Sequence, residues 1–246
     1  MKIKTILFDL DDTLLGNDME TFLPAYFSLL GQYTTRYLNE EQFLPAVLKA
    51  SEVVTHNIDP AITNRDVLWQ EVERLTGLKQ EGLEPLFDDF YRMEFNQLRP
   101  LTRFNPAAAE LVHACFALGL KVVIATNPMF PLRAIEARLA WAGVPVIEFP
   151  YELVTSIENM HATKPHQAYY QEILQLVNGW PDETLMVGDD WIRDIEPAAE
   201  LGLFSYWIQL PGTSPSIESL PTAYGSLEGL LDRVRSDWLG QPAVMA

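Results

Sequence analysis

At 246 residues the chain is long enough to bury a sizeable core, as one large domain or two smaller ones. Its 48% hydrophobic and 21% charged residues describe an ordinary globular protein and exclude a disordered one. A net charge of −17 argues against a broad nucleic-acid face or an anionic membrane surface, because both attract basic patches.

The first informative stretch is Ile3 to Phe8, an apolar, β-branched run expected to form a strand buried on both faces of a parallel sheet. It stops abruptly on Asp9, Asp11 and Asp12. Asp9 comes too early for a signal peptide and no window reaches membrane-spanning length, so a cytoplasmic location is expected. From about residue 16 to 100 the pattern is helical. Thr21 is expected to cap a helix carrying Phe22, Tyr26, Leu30, Tyr33 and Tyr37 at helical spacing. Asn39 with Gln42 resembles a capping box, with Pro45 expected to kink the helix that follows or shift its start. Thr63 opens a third helix that Gly77 closes, and a fourth spans roughly 82–96.

After Arg99-Pro100 strands and helices alternate. A helix runs from Asn105 to Gly119, a strand from Lys121 to Ala125, a helix over 131–142 and a strand from Val144 to Phe149. A helix over 165–177 precedes a strand from Thr184 to Val187, and a helix over 194–201 precedes the last strand, Leu203 to Ile208. This alternation implies right-handed crossovers and a parallel sheet. Residues 211–221 read as loop, 225–238 as a final amphipathic helix, and the tail as frayed. The fold class is therefore α/β. A Rossmann-like, doubly wound parallel sheet (residues 1–15 and 101–246) carries an inserted α-helical bundle (16–100).

This architecture gathers the reactive residues. Asp9 and Asp11, Thr126 and Asn127, and Asp189 and Asp190 all follow strand ends, which share one edge in a parallel sheet. Lys164 stands at a helix start on the same side. Several carboxylates in one crevice, at about 4 kcal/mol per like-charge pair at 4 Å, require a counter-cation beyond one lysine. The donors are oxygens, with no His or Cys at ligand spacing, which favours Mg²⁺.

Asp9-Leu-Asp11-Asp-Thr13 resembles the first motif of the haloacid dehalogenase-like hydrolase superfamily. Thr126-Asn127 resembles the second, Lys164 the third, and Gly188-Asp189-Asp190-Trp-Ile-Arg-Asp194 the fourth. The helical insert lies where that family carries its cap. The resemblance implies a Mg²⁺-dependent phosphatase that works through an aspartyl-phosphate. Asp9 would be nucleophile and metal ligand, Asp11 general acid/base and ligand through its carbonyl, and Asp189 a metal ligand. Thr126, Asn127 and Lys164 would bind the phosphate, with Thr126 and Lys164 also catalytic. Thr13 would brace the first loop, Asp194 would orient Lys164 or a metal-bound water, and Asp190 would be either a further metal ligand or a supporting residue. An acid at Asp11 points to phosphate esters, because a departing halide needs no proton.

The expected substrate is a small phosphorylated metabolite, with no nucleic-acid or membrane partner; composition does not decide between monomer and homodimer. A phosphomutase, or a non-catalytic binding protein keeping the fold, are the alternatives. Cys115, the one cysteine, is expected to be buried and inert. His56, His113, His161 and His166 read as surface or helix-end residues, with His161 and His166 weaker candidates for the site mouth. Arg65 and Arg92 are candidates for a second anionic group of the substrate.

Overall fold

Strand Thr5–Phe8 (β1) lies at the centre of the molecule, every residue buried. Burying Ile6, Leu7 and Phe8 contributes about 1.5–3 kcal/mol each. The computed structural model describes residues 2–209, 221–236 and 238–240. After β1 come Leu15–Gly16 (β2) and four helices: Met19–Thr34 (α1), Glu40–Val54 (α2), Asn64–Thr76 (α3) and Gln80–Met93 (α4). A 3-10 segment, Phe95–Leu101, leads into Arg103–Phe104 (β3). The alternating part follows as Pro106–Ala117 (α5), Lys121–Ile124 (β4), Leu132–Trp141 (α6), Leu153–Val154 (β5), Gln167–Leu176 (α7) and Thr184–Gly188 (β6). A π-helical turn at Trp191–Ile195 runs into Glu196–Glu200 (α8), then Phe204–Ile208 (β7), Ala223–Gly225 (β8) and Leu227–Arg235 (α9).

The main sheet has six strands in the order β5-β4-β1-β6-β7-β8, all paired in parallel. The chain leaves β1 toward β4 and β5, then returns across it to β6. The reversal of direction thus opens between β1 and β6, the position where such sheets bind ligands. Both faces are covered. Ile6, Phe8, Val122 and Ile124 pack with Leu111, Ile135, Leu139 and Leu230 on one side. Leu7, Val123 and Met186 pack with Tyr169, Tyr170, Ile173 and Ala198 on the other. The architecture is the expected α/β, Rossmann-like one.

Helices α2, α3 and α4 share a smaller core of Phe43, Val47, Ala50, Trp69, Val72 and Leu83, whereas Phe22, Tyr26 and Leu30 of α1 and Phe90 of α4 join the main core. Where the chain leaves and re-enters the sheet region, β2 and β3 pair antiparallel, Leu15 with Phe104 and Gly16 with Arg103. Strands this short carry no readable period and leave no signal in the sequence. A Cβ at Gly16 would stand 3.0 Å from Arg103 Cβ, so the close crossing favours glycine.

Several local expectations need correction. Asp18, not Thr21, caps α1: its carboxylate accepts from Glu20 N–H, while Thr21 Oγ1 donates to it from inside the first turn. Pro45 does not shift the start of α2, which begins at Glu40 and runs through it. Val144–Phe149 is not a strand. Pro145 interrupts it, Phe149 N–H turns back to the Pro145 carbonyl, and Ile147 is 90% exposed. The edge strand is β5 instead. Nor is β7 last, since β8 pairs beside it and α9 begins only after the Ser226 cap. The helix expected over 194–201 is a π-turn followed by the short α8. The expected loop at 211–221 falls almost wholly, and the frayed tail largely, outside the described residues. Among those described, no helix is long and apolar enough to cross a membrane.

Candidate active site

The ladder continues one residue past β1. Ala125 N–H donates to the Phe8 carbonyl at 2.7 Å and Asp9 N–H to the Val187 carbonyl at 2.9 Å, so Asp9 is held between β4 and β6. The chain then turns sharply. Asp12 takes a left-handed φ of 53°, which Asp tolerates better than most residues, and its carboxylate accepts from Asn17 N–H at 2.9 Å. This turn places Asp9 in the crevice and Asp11 at its wall.

Lys164 joins three of the separate segments. Its Nζ donates to Asp9 Oδ1 at 2.7 Å and to Asp194 Oδ1 at 2.6 Å, with all three side chains essentially buried. Asp194 also accepts from Asp190 N–H at 3.2 Å. Its carboxylate lies directly against Gly188, where a Cβ would come within 2.2 Å of Asp194 Oδ2. The glycine of Gly-Asp-Asp is thus required so that Asp194 can pack over the end of β6 and reach Lys164. Asp189 projects beside them, its backbone carbonyl held by Trp207 Nε1 at 2.8 Å. Thr13 Oγ1 lies 3.4 Å from Asp189 Oδ1, a long contact that ties the first loop to the fourth.

Asp9, Asp189 and Asp194 each bring a carboxylate oxygen within 4.8 Å of the others. Burial pushes the Asp9 carboxyl well above the usual range despite Lys164, and neighbouring acids add to it. Burial also raises Asp194, against the pull of Lys164, and raises Asp189 to about 7 with help from the Asp194 charge. Burial opposes the Lys164 ammonium, but Asp194 and Asp9 outweigh it and hold the amine above its usual range. One fixed cation thus leaves these carboxylates short of positive charge. An all-oxygen donor set with that deficit fits a hard divalent ion such as Mg²⁺.

Thr126 is buried at the end of β4 and faces the same crevice. Its carbonyl accepts from Tyr169 Oη at 2.8 Å and Thr155 Oγ1 at 2.7 Å, which fixes the loop. Asn127 Oδ1 accepts from Lys164 N–H at 3.2 Å, joining the second segment to the third. Asp190 caps the π-turn by accepting from Ile192 and Arg193 N–H groups. The residues of the four motifs therefore meet at one sheet edge, and of these Thr13 alone is absent from the cavity wall.

Two residues at this site escaped the sequence reading. Asp11 Oδ2 accepts from Arg138 Nη1 at 2.5 Å and Asp11 Oδ1 from Asn17 Nδ2 at 2.7 Å. Arg138 is fully buried, its guanidinium 4.6 Å from the Phe130 ring, and its Nε and Nη2 have no hydrogen-bond partner. A signal did exist: Arg138 falls on the same helical stripe as Ala134, Ile135 and Leu139, an arginine where the period calls for an apolar side chain. The histidine reading needs adjustment too. His56 lines the cavity, whereas His161 pairs with Glu172 and His166 contacts the Thr55 carbonyl. Arg65 lines the cavity but is bound to Glu84, and Arg92 is engaged by Asp89 away from it.

Fold and site together define a Rossmann-like α/β protein with an acid-lined, cation-ready crevice at its topological switch point. The family model of haloacid dehalogenase-like hydrolases matches residues 3–202. Pyrophosphatase PpaX of Bacillus cereus (strain ATCC 10987 / NRS 248) is 26% identical over 190 residues, 77% of this chain and 76% of that protein. Among solved structures, a 2-haloacid dehalogenase from Pseudomonas syringae pv. Tomato DC3000 superposes with a TM-score of 0.60 at 21% identity, covering 96% of this chain and 99% of the other. A HAD phosphatase from Thermococcus onnurineus gives 0.56 at 16% identity, covering 99% and 100%. The chain belongs to the haloacid dehalogenase-like hydrolases.

Proposed function

We propose that this hydrolase is a Mg²⁺-dependent phosphomonoesterase acting in the cytoplasm on a small phosphorylated metabolite. The observation that carries this reading is the buried Asp9–Lys164 contact at 2.7 Å, with Asp11 two residues on at the wall of the same crevice. Asp9 and Asp189, with the backbone carbonyl of Asp11, would hold the ion, which when bound supplies positive charge that offsets repulsion between carboxylate and phosphate. Asp9 attacks phosphorus and the bond from phosphorus to the leaving oxygen breaks. Asp11 gives that oxygen a proton. Each Asp11 oxygen accepts one hydrogen bond, from Arg138 or Asn17, and keeps a further lone pair for this transfer. Water then attacks the aspartyl-phosphate, Asp11 takes its proton, and Asp9 is regenerated as phosphate leaves.

Lys164 neutralises charge on the nucleophile and the transferring group, held in place by Asp194. Thr126 and Asn127 bind phosphoryl oxygens. Asp190 and Thr13 brace their loops. The helices α1–α4 act as a cap over the cavity, excluding water and selecting the leaving group. An acid at position 11 favours esters over organohalides, whose halide leaves without a proton. The test is phosphate release from a panel of phosphorylated metabolites with Mg²⁺. Release that disappears in Asp9→Asn supports the reading; a flat panel, or isomerisation of a hexose phosphate without net phosphate release, contradicts it.

A further inference from the structure

The crevice opens into a cavity of about 1430 Å³ between the sheet edge and helices α1–α4. The phosphoryl machinery occupies only its floor. The remainder carries six aromatic side chains, Tyr26, Phe27, Trp69, Phe87, Tyr91 and Phe130, among aliphatic and charged ones, and these rings pack on one another. Trp69 meets Phe87 edge-on at 5.3 Å between centroids, and Tyr26 meets Phe27 at 4.9 Å and Phe130 at 5.1 Å. Tyr26 and Tyr91 direct their hydroxyls at each other, 2.6 Å apart and buried. Those two aromatic residues therefore satisfy their polar ends mutually.

The charges on this wall point the same way. Arg65, Arg133 and Arg193 are the lining arginines among the described residues, and each faces an acid that also lines the cavity, Arg193 Nε standing 3.8 Å from Asp190 Oδ2. Arg65 is bound to Glu84, and Arg133 Nε to Asp88 Oδ1 at 2.9 Å. Glu20, Glu52 and Glu158 add further negative charge to the lining. A second phosphate or carboxylate on the substrate would meet no uncommitted arginine there and several carboxylates. An aromatic or aliphatic body would meet complementary surface.

Building on the phosphatase reading above, we infer that the substrate is a phosphate monoester of a bulky apolar or aromatic alcohol bearing no second anionic group. The matched pair phenyl phosphate and 3-carboxyphenyl phosphate isolates the extra charge at similar leaving-group acidity. With the full chain and Mg²⁺, kcat/KM should be at least about tenfold higher for the uncharged ring, and higher again for 1-naphthyl phosphate. In Glu84→Gln, which leaves Arg65 only the more distant Asp66 at 3.9 Å, the phenyl-to-carboxyphenyl ratio should narrow by about fivefold, the scale of one partly exposed ion pair. Equal or inverted preference in the native chain, or no narrowing in the variant, overturns the inference. If neither ester is hydrolysed while the metabolite panel still releases phosphate, the inference fails; if the panel is flat as well, the phosphatase reading fails. Calorimetry with 1-naphthylmethylphosphonate and phosphonoacetate then decides the inference alone: tighter binding of the naphthyl compound upholds it, and equal or weaker binding overturns it.

Discussion

Arg138→Met tests the connection between a buried ion pair and the chemistry of Asp11. The substitution removes the 2.5 Å contact from Nη1 to Asp11. Breaking a fully buried pair costs about 3–5 kcal/mol, chiefly because the remaining charge is stranded. Asp11 is not stranded here, since it lines a water-accessible cavity and keeps Asn17, so the lower figure is the better guide. Losing the guanidinium over Phe130 removes about 1 kcal/mol, part of which a methionine sulfur against the same ring restores. Against this, Nε and Nη2 are buried without partners, and each such group costs about 1–3 kcal/mol that the variant no longer bears. The two sides cancel to within about 2 kcal/mol, a melting shift below about 8 °C for a chain of this size.

Activity should respond differently. Without Arg138, Asp11 is held on one side only, and kcat for an alkyl phosphate should fall at least about tenfold. The loss should be smaller for p-nitrophenyl phosphate, whose leaving group needs little protonation. Differential scanning fluorimetry and steady-state phosphate release on both esters measure the two effects. Equal losses on the two esters, or unchanged kcat on both, would refute the role given to Arg138. A melting temperature lower by more than 15 °C would refute the energetic reasoning instead.

Other outcomes follow from the same geometry. Asp9→Asn should lower turnover of p-nitrophenyl phosphate by about a thousandfold or more while the far-ultraviolet circular dichroism spectrum stays native. Gly188→Ala places a Cβ where Asp194 Oδ2 now lies, so it should destabilise the fold by about 1–3 kcal/mol in urea and impair turnover through the displaced Lys164 partner. In metal-free protein Asp189 binds a proton up to about pH 7, whereas in the unfolded chain it loses it near 3.8. The folded state therefore holds the extra proton between those values, and stability falls as pH rises through them, by up to about 4 kcal/mol. Chemical denaturation in EDTA should show this slope flattened in Asp189→Asn. The same denaturation with Mg²⁺ should show a gain in stability that grows toward pH 7, because binding needs the carboxylate. Cys115 is buried, with its thiol pushed up to about 12, so it should resist Ellman's reagent until the protein is denatured.

The sequence by itself determined the sheet class and which polar residues stand at the ends of its strands. Long apolar runs ending on Asp9, Thr126 and Asp189 leave few options, because a strand buried on both faces must be apolar throughout and its first polar residue marks its end. Helix ends at Asn105, Thr63 and Gly77 were equally legible, being set by local capping chemistry. Only the tertiary structure decided that Lys164 bridges Asp9 and Asp194, why Gly188 tolerates no side chain, and that Arg138 reaches from α6 to Asp11 across 127 positions of sequence. The short strands β2, β3, β5 and β8 also belong to that second group, since two or three residues carry no period; β5 and β8 pair because β4 and β7 present free edges, and β2 and β3 because the chain brings them together. Residue type and local period are written in the chain, but distances between separate loops exist only once the sheet has ordered them.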